Sequence, residues 1–144
     1  MQDLIALLDR LKSATVELQE KDLLKIVENN KDTLIDLNLS QLMQGRNSAG
    51  QSLGNYASKE YADFKRTLNP LGVIDLKLEG DFHAGFYVEA SKFPVVIDSA
   101  DEKTNELGIK YGEDIFGLDQ KNQAIFQAEI LLETIKYYEE LMGV

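Results

Sequence analysis

Apolar and polar residues alternate along residues 76–88, and this pattern constrains the fold more than any other in the chain. A period of two residues is typical of a strand with one buried face. A polar break follows, and then the β-branched run at residues 93–97, which is short enough to pair with the first strand as an antiparallel hairpin. The sequence therefore predicts a central hairpin. The side chains expected to share its core are Leu78, Phe82, Phe86, Val96 and Ile97.

Helical patterns lie on both sides of this hairpin. Leucines at steps of three and four predict an amphipathic helix over residues 3–18. Helix-capping Asp and Ser residues precede residues 101–111, which we expect to form a short helix ending at Gly112. Asp119 is a good N-cap for a closing amphipathic helix. The predicted fold is one α+β domain with a helical lead-in at 1–43, a Gly-rich arm at 44–56, an α+β core at 57–118 and a C-terminal helix at 119–143.

The closing helix carries more apolar residues than a small hairpin can cover. One seam at helical spacing consists of Ile125, Ala128, Leu132 and Ile135. Further apolar residues widen the arc beyond this seam, namely Phe126, Ile130, Leu131, Leu141 and Met142. We expect the excess apolar surface to face another subunit, with Leu131 and Tyr138 among the contact residues.

The arm contains three glycines among Asn and Ser residues and follows neither hydrophobic period, which is typical of a loop or an open arm. The Gly-Lys-Ser/Thr ending of a phosphate-binding loop is missing. Because such residues bury little apolar surface, we expect residues 44–54 to be mobile in the free chain and to become ordered against a neighbouring subunit. The arm residues expected to contact a partner are Gly45, Arg46, Asn47, Gly50, Leu53 and Tyr56.

The composition argues against several classes of function. The formal net charge is −10 and the pI is near 4.5, so the chain as a whole repels a nucleic-acid backbone and direct nucleic-acid binding is not expected. Because cysteine is absent, disulfides, thiolate zinc sites and cysteine nucleophiles are excluded, in keeping with a reducing cytosol. The chain opens with an acid, Asp3, and no apolar run reaches roughly 18 residues. Neither a signal peptide nor a membrane span is expected.

His83 is the one histidine in the chain, and it follows Asp81 by two positions. In a strand these two side chains share a face, and their apolar neighbours predict that this face is the wetter one. We therefore interpret them as an ordinary polar pair. The sequence contains no EF-hand pattern. The run Gly50-Gln51-Ser52-Leu53-Gly54 has the Gly-x-Ser-x-Gly spacing, but it lies in the Gly-rich arm, where no apolar strand precedes it as a nucleophile elbow requires. No catalytic, cofactor-binding or metal-binding residue is predicted, although an enzyme using Asp81, His83 and an acid near Asp98 is kept as an alternative.

A succession of short motifs runs from residue 41 to residue 118. It comprises Gln41-Leu42, Gly45, Gly50, Leu53-Gly54-Asn55-Tyr56, Tyr61, Lys65, Pro70, Asp75-Leu76-Lys77-Leu78-Glu79-Gly80-Asp81-Phe82, Val96-Ile97, Asp101, Lys103, Leu107, Tyr111-Gly112 and Ile115-Phe116-Gly117-Leu118. This succession resembles a group of small proteins of tailed phages and prophages of Bacteroidetes-type bacteria. The order of features is also similar to that of phage neck and tail-completion proteins, which form rings at the head-tail junction. The chain lacks the proline-arginine element that often follows the Phe-Gly pair in those families, so the resemblance does not indicate a particular layer of the virion.

The resemblance implies a non-enzymatic structural protein of a phage particle. Its partners would be copies of itself and other virion proteins of the portal, neck or tail. The protein would be made in the bacterial host cytoplasm, would reside in the virion and would need no cofactor. Two alternatives from other classes remain open: a cytosolic acidic interaction or regulatory module, and a small enzyme acting on a glycan or another small molecule.

Overall fold

The computed structural model describes residues 20–143, and the fold of this part is α+β, as predicted. Helices surround a two-stranded antiparallel sheet. In chain order the elements are α1 (Glu20–Asn29), α2 (Lys31–Met43), α3 (Lys59–Leu68), α4 (Asp81–Ala84), β1 (Phe86–Glu89), β2 (Val96–Ser99), α5 (Thr104–Tyr111), a 3-10 turn (Glu113–Ile115) and α6 (Gln120–Met142). The helix predicted over residues 3–18 lies outside the described residues.

The central hairpin exists but is shorter than predicted. Its register runs from Phe86 opposite Ser99 to Glu89 opposite Val96. The prediction of a strand over residues 76–85 is wrong, because positive φ angles at Leu76 and Gly80 break the extended backbone and residues 81–84 form a helical turn. The second strand begins at Val96 rather than at residue 93.

The predicted hairpin core is right in part. Phe82, Phe86 and Ile97 pack in one cluster, but the side chains of Leu78 and Val96 are 52% and 45% exposed. Leu78 leaves the core because its segment is a loop rather than a strand. Val96 lies at the start of β2, paired with the exposed Glu89 at the end of β1.

The core of the described residues consists of two clusters joined by the hairpin. One lies among α1, α2 and α6 and contains Ile26, Val27, Leu34, Ala90, Leu118, Phe126 and Ile130. The other lies where α2 meets α4 and the 3-10 turn and contains Leu42, Phe82, Phe86 and Ile115. Ile97 packs against both clusters, so the hairpin holds the two halves of the core together.

Two buried amide side chains of α2 fix the segment that leads into α6. Asn38 donates to the Ile115 carbonyl (3.0 Å) and accepts from the Gly117 amide (2.8 Å). Gln41 donates to the Gly117 carbonyl (3.0 Å) and accepts from the Asp119 amide (2.7 Å). Asp119 in turn accepts from the Asn122 amide, which confirms it as the N-cap of α6. The direction in which α6 leaves the 3-10 turn is therefore set by α2.

Candidate functional site

The Gly-rich arm is a hydrogen-bonded loop that contacts the 3-10 turn, which corrects the expectation of an open arm. The Leu53 amide donates to the Gly45 carbonyl (2.8 Å), and the Ser48 amide donates to the Asp114 carbonyl (2.8 Å). The buried side chain of Asn47 accepts from the amides of Ala49 and Gln51. These polar contacts give the loop a defined conformation with little apolar burial. The mobility of residues 44–54 in the free chain stays a prediction.

The predicted contact residues of the arm differ in exposure. Gly45 and Asn47 are buried and hold the loop, and a Cβ at Gly45 would lie 2.7 Å from the Cβ of Val73. Arg46 is exposed and donates to the Gly50 carbonyl (2.9 Å). The half-buried Leu53 packs against the second core cluster. Their role in partner contact stays a prediction.

Helix α6 turns one apolar face inward and a second one outward. Phe126, Ile130 and Thr134 are buried on the inner face. The outer face carries Ile125, Ala128, Leu132 and Ile135, all of them exposed, and Met142 follows one heptad after Ile135. We call these five residues the α6 stripe. The first four recur at steps of three and four residues, the spacing of a coiled-coil seam, in which each apolar side chain packs against a facing helix. The seam position between Ile135 and Met142 is Glu139.

Acidic residues outnumber basic ones around the α6 stripe. The exposed or half-exposed charges of this helix are Glu129, Glu133, Glu139 and Glu140 against Lys121 and Lys136. At 100° per residue, Glu129, Glu133 and Glu140 lie along the same edge of the stripe. A partner surface that combines apolar groups with positive charge would complement this face.

The predicted contact residues Leu131 and Tyr138 lie at the other edge of the α6 stripe, and both are half-buried. The ring of Tyr138 packs edge-on against Tyr137 at 5.3 Å between centroids. Its hydroxyl group is buried and has no hydrogen-bond partner among residues 20–143. Burial raises the pKa of the Tyr138 hydroxyl above its usual value.

A cleft of about 560 Å³ opens between α3, the loop at residues 74–80 and α5. Its apolar lining includes Tyr56, Tyr61, Leu76, Leu78, Phe82, Leu107 and Tyr111. Its exposed cationic lining residues are Lys77, Lys103 and Lys110, and its acids are Glu79 and Asp81. The cleft is therefore an apolar groove with a lysine-rich rim, in a chain whose net charge is −10.

A buried ion pair fixes one wall of this cleft. Lys65 donates to Asp75 Oδ1 at 2.9 Å, with side chains 2% and 1% exposed, and it also donates to the Lys77 carbonyl. Asp75 further accepts from the Asn69 side chain (3.0 Å) and the Lys77 amide (2.9 Å). Burial alone would raise the pKa of Asp75, but the hydrogen bonds from Lys65, Asn69 and Lys77 outweigh it and hold the pKa below its ordinary value.

Tyr56 fixes the entrance of the same cleft, although the arm pattern pointed to it as a partner contact. Its hydroxyl donates to the Val73 carbonyl at 3.2 Å. Burial, followed by the negative charge of Asp75, raises the pKa of Tyr56 to about 12. Its ring packs edge-on against Tyr61 at 5.1 Å between centroids. Tyr56 thus connects the arm to α3.

Helix α3 buries a charged residue and exposes its apolar ones. Lys65 is the one buried residue of this helix, whereas Tyr61, Phe64 and Leu68, at steps of three and four, are 39%, 49% and 51% exposed. The buried ion pair of Lys65 with Asp75 ties α3 to the loop at 74–80. Its apolar side is left to extend the surface of the cleft.

His83 is buried, which corrects its expected position on a wet strand face. Its Nε2 lies 2.8 Å from the Asp75 carbonyl oxygen, and because a carbonyl only accepts, Nε2 carries the proton. Burial lowers the pKa of His83 below its ordinary value of 6.5, although the charge and carbonyl of Asp75 act in the opposite direction. Neutral His83 therefore supports the backbone of the cleft wall.

The pKa of His83 predicts a pH dependence of stability. A folded pKa below the unfolded value means that the unfolded chain binds more protons, so stability falls as pH drops below about 6.5. We expect the wild-type free energy of unfolding to fall between about pH 7.5 and pH 5.5, and His83→Gln to flatten that fall, since glutamine donates without titrating. Urea titrations at both pH values measure the difference. An unchanged pH slope in His83→Gln would show that another group titrates in this range.

The residues of the enzyme alternative do not converge on one cavity. Asp81 lines the cleft, but the polar atom Nε2 of His83 is taken up by the Asp75 carbonyl. Asp98 lies on β2, where its Oδ1 accepts from the Ser99 amide. The geometry of the described residues therefore offers no observation that favours catalysis by this set.

Comparisons of the chain with protein-family models, with curated proteins and with solved structures find no match. Within residues 20–143, the helices are too short or too polar to cross a membrane. The role of the cleft and of the α6 stripe is therefore inferred from their geometry and charge.

Proposed function

We propose that this chain is a non-enzymatic structural component of a tailed-phage particle, acting at the head-tail junction by binding copies of itself and other virion proteins. The observation that carries the proposal is the α6 stripe. A helix that buries Phe126 and Ile130 on one side and exposes Ile125, Leu132 and Ile135 on the other has an apolar face for a protein partner.

Two sequence features support the virion setting. The motifs between residues 41 and 118 resemble those of small tailed-phage proteins, whose role is assembly rather than catalysis. A net charge of −10 would also repel DNA passing through an assembled neck, which would keep the genome from adhering to the protein. On this proposal the protein is made in the host cytoplasm and resides in the virion.

Leu132→Glu tests the proposal directly. Leu132 is 68% exposed, so a charge there leaves the core intact but opposes burial of the α6 stripe against a partner. We expect the wild-type chain to form oligomers in sedimentation velocity and the variant to remain monomeric. Circular dichroism spectra should show the same helix content for both.

The matched control is Ile109→Glu, since Ile109 is 87% exposed on α5 and belongs to neither the α6 stripe nor the cleft. This variant should assemble like the wild type. Assembly that survives Leu132→Glu would contradict the role of α6. A wild-type monomer at every concentration would contradict self-assembly and favour the acidic interaction module.

A further inference from the structure

We infer that the cleft is the receptor for the α6 stripe of a second copy, so that copies of this chain join head to tail. The inference rests on the proposed function and names the partner surface that the α6 stripe meets. Helix α6 contributes no residue to the cleft, which is lined by α3, the loop at 74–80 and α5 among other segments. Each copy therefore carries one surface of each kind. Two unlike surfaces generate a heterologous contact, which closes into a ring or extends into a filament.

The charges favour this pairing over a symmetric one, in which the α6 stripes of two copies would pack against each other. Four glutamates against two lysines accompany the α6 stripe, so two such faces packed together would bring an excess of like charge into one interface. The cleft, by contrast, is lined by three exposed lysines, Lys77, Lys103 and Lys110, against two acids, Glu79 and Asp81. The acidic edge of the α6 stripe therefore finds its opposite charge on the rim of the cleft.

Shape and apolar area support the same pairing. The cleft has an apolar floor at Leu76, Phe82 and Leu107, and the exposed rings of Tyr61 and Phe64 continue that surface along α3. Proteins commonly recognise one another by placing the apolar face of a helix in a groove of the partner. Because a stable interface buries about 1,200 Å² or more in total, α3 is needed beside the cleft to supply the contact area.

The cleft wall is ordered before any partner arrives. Lys65 and Asp75 tie α3 to the loop, and His83 holds the Asp75 carbonyl. Leu76, which lines the cleft, is the one non-glycine residue with positive φ (59°) among residues 20–143. A wall held in this conformation loses little further entropy on binding.

A mixing experiment tests the inference. One variant blocks the cleft (Leu78→Glu with Lys110→Glu, both exposed lining residues), and the other blocks the stripe (Leu132→Glu). We expect each variant to be monomeric alone, and the equimolar mixture to form a one-to-one complex in sedimentation velocity, because the first variant keeps its stripe and the second keeps its cleft. Circular dichroism confirms that both are folded.

The failures of the two proposals give different results. If the cleft variant assembles like the wild type while Leu132→Glu does not, the contact is stripe to stripe, and the inference is overturned although the proposed function stands. Two monomeric variants that do not combine on mixing also overturn it. If Leu132→Glu assembles like the wild type, the proposed function itself fails.

A charge exchange gives an independent readout. Lys103→Glu with Lys110→Glu should weaken self-association about tenfold or more, and Glu133→Lys with Glu140→Lys in the same chain should restore much of the loss. The control with the same change in net charge is Lys21→Glu with Lys25→Glu, on the exposed side of α1. Equal weakening by the control would show that net charge rather than this pairing governs association. No restoration would show that these lysines and glutamates do not face each other in the contact.

Discussion

Replacing Phe82 with alanine is expected to lower the free energy of unfolding by about 3 to 5 kcal/mol, because the ring is removed from a site that cannot refill it. Phe82 is 3% exposed, and its ring centroid lies 5.2 Å from that of Phe86 and 6.0 Å from that of Phe116. The Phe82 carbonyl also accepts from the Ser99 hydroxyl (2.9 Å), which ties α4 to β2. Urea unfolding at neutral pH measures the loss.

Leu78→Ala is the matched control for Phe82→Ala. Both residues were expected in one core from the strand period, but Leu78 is half exposed, so its truncation should change the free energy of unfolding by no more than about 0.5 kcal/mol. Equal losses in the two variants would mean that residues 76–82 form the strand that the alternation predicted, and that the helical turn at α4 is wrong.

The alternation misled at residues 76–82 for an identifiable reason. Phe82 lies in the helical turn and Phe86 begins β1. Their spacing of four residues satisfies the period of two and is also close to one turn of a helix. A short apolar pattern does not separate these possibilities. The positive φ angles at Leu76 and Gly80 decide between them, and Leu76, as a leucine, gives no local sign of such a conformation.

The closing helix shows a second limit of sequence patterns. The N-cap at Asp119 and the helix itself were predicted, because capping is local. Which face points inward was not, since both sides of α6 are apolar. The buried face includes Thr134, whose hydroxyl donates to the Ile130 carbonyl at 2.7 Å, so a residue counted as polar occupies the core.

The cleft could not be predicted from the sequence. Its wall depends on a lysine ten residues from its aspartate, and lysine is almost never fully buried unless it is paired. No short sequence motif predicts such a buried ion pair. Only the helical spacing of Tyr61, Phe64 and Leu68 is visible in the sequence, and such spacing is more often typical of a buried helix face.

Asp75→Asn is expected to have the other large effect. The substitution keeps the shape of the side chain and an oxygen that can accept from Lys65 and the Lys77 amide, but it leaves the buried ammonium group of Lys65 without a counter-charge. Removing one partner of a buried ion pair costs about 3 to 5 kcal/mol. The variant should therefore unfold at a markedly lower urea concentration than the wild type.

Asp63→Asn is the control on the same helix, because Asp63 pairs with Arg66 at 2.7 Å but both side chains are more than half exposed. Solvent screens that pair, so its loss should cost less than about 1 kcal/mol.

The two variants should also differ in their unfolding by acid. Since the folded pKa of Asp75 lies below its ordinary 3.8, its stabilisation is complete above that pH and is lost as pH falls through the folded pKa. Asp75→Asn should remove this part of the acid unfolding curve and Asp63→Asn should retain it. Equal costs for the two substitutions would show that the Lys65–Asp75 pair is open to solvent and that α3 is held to the domain by other contacts.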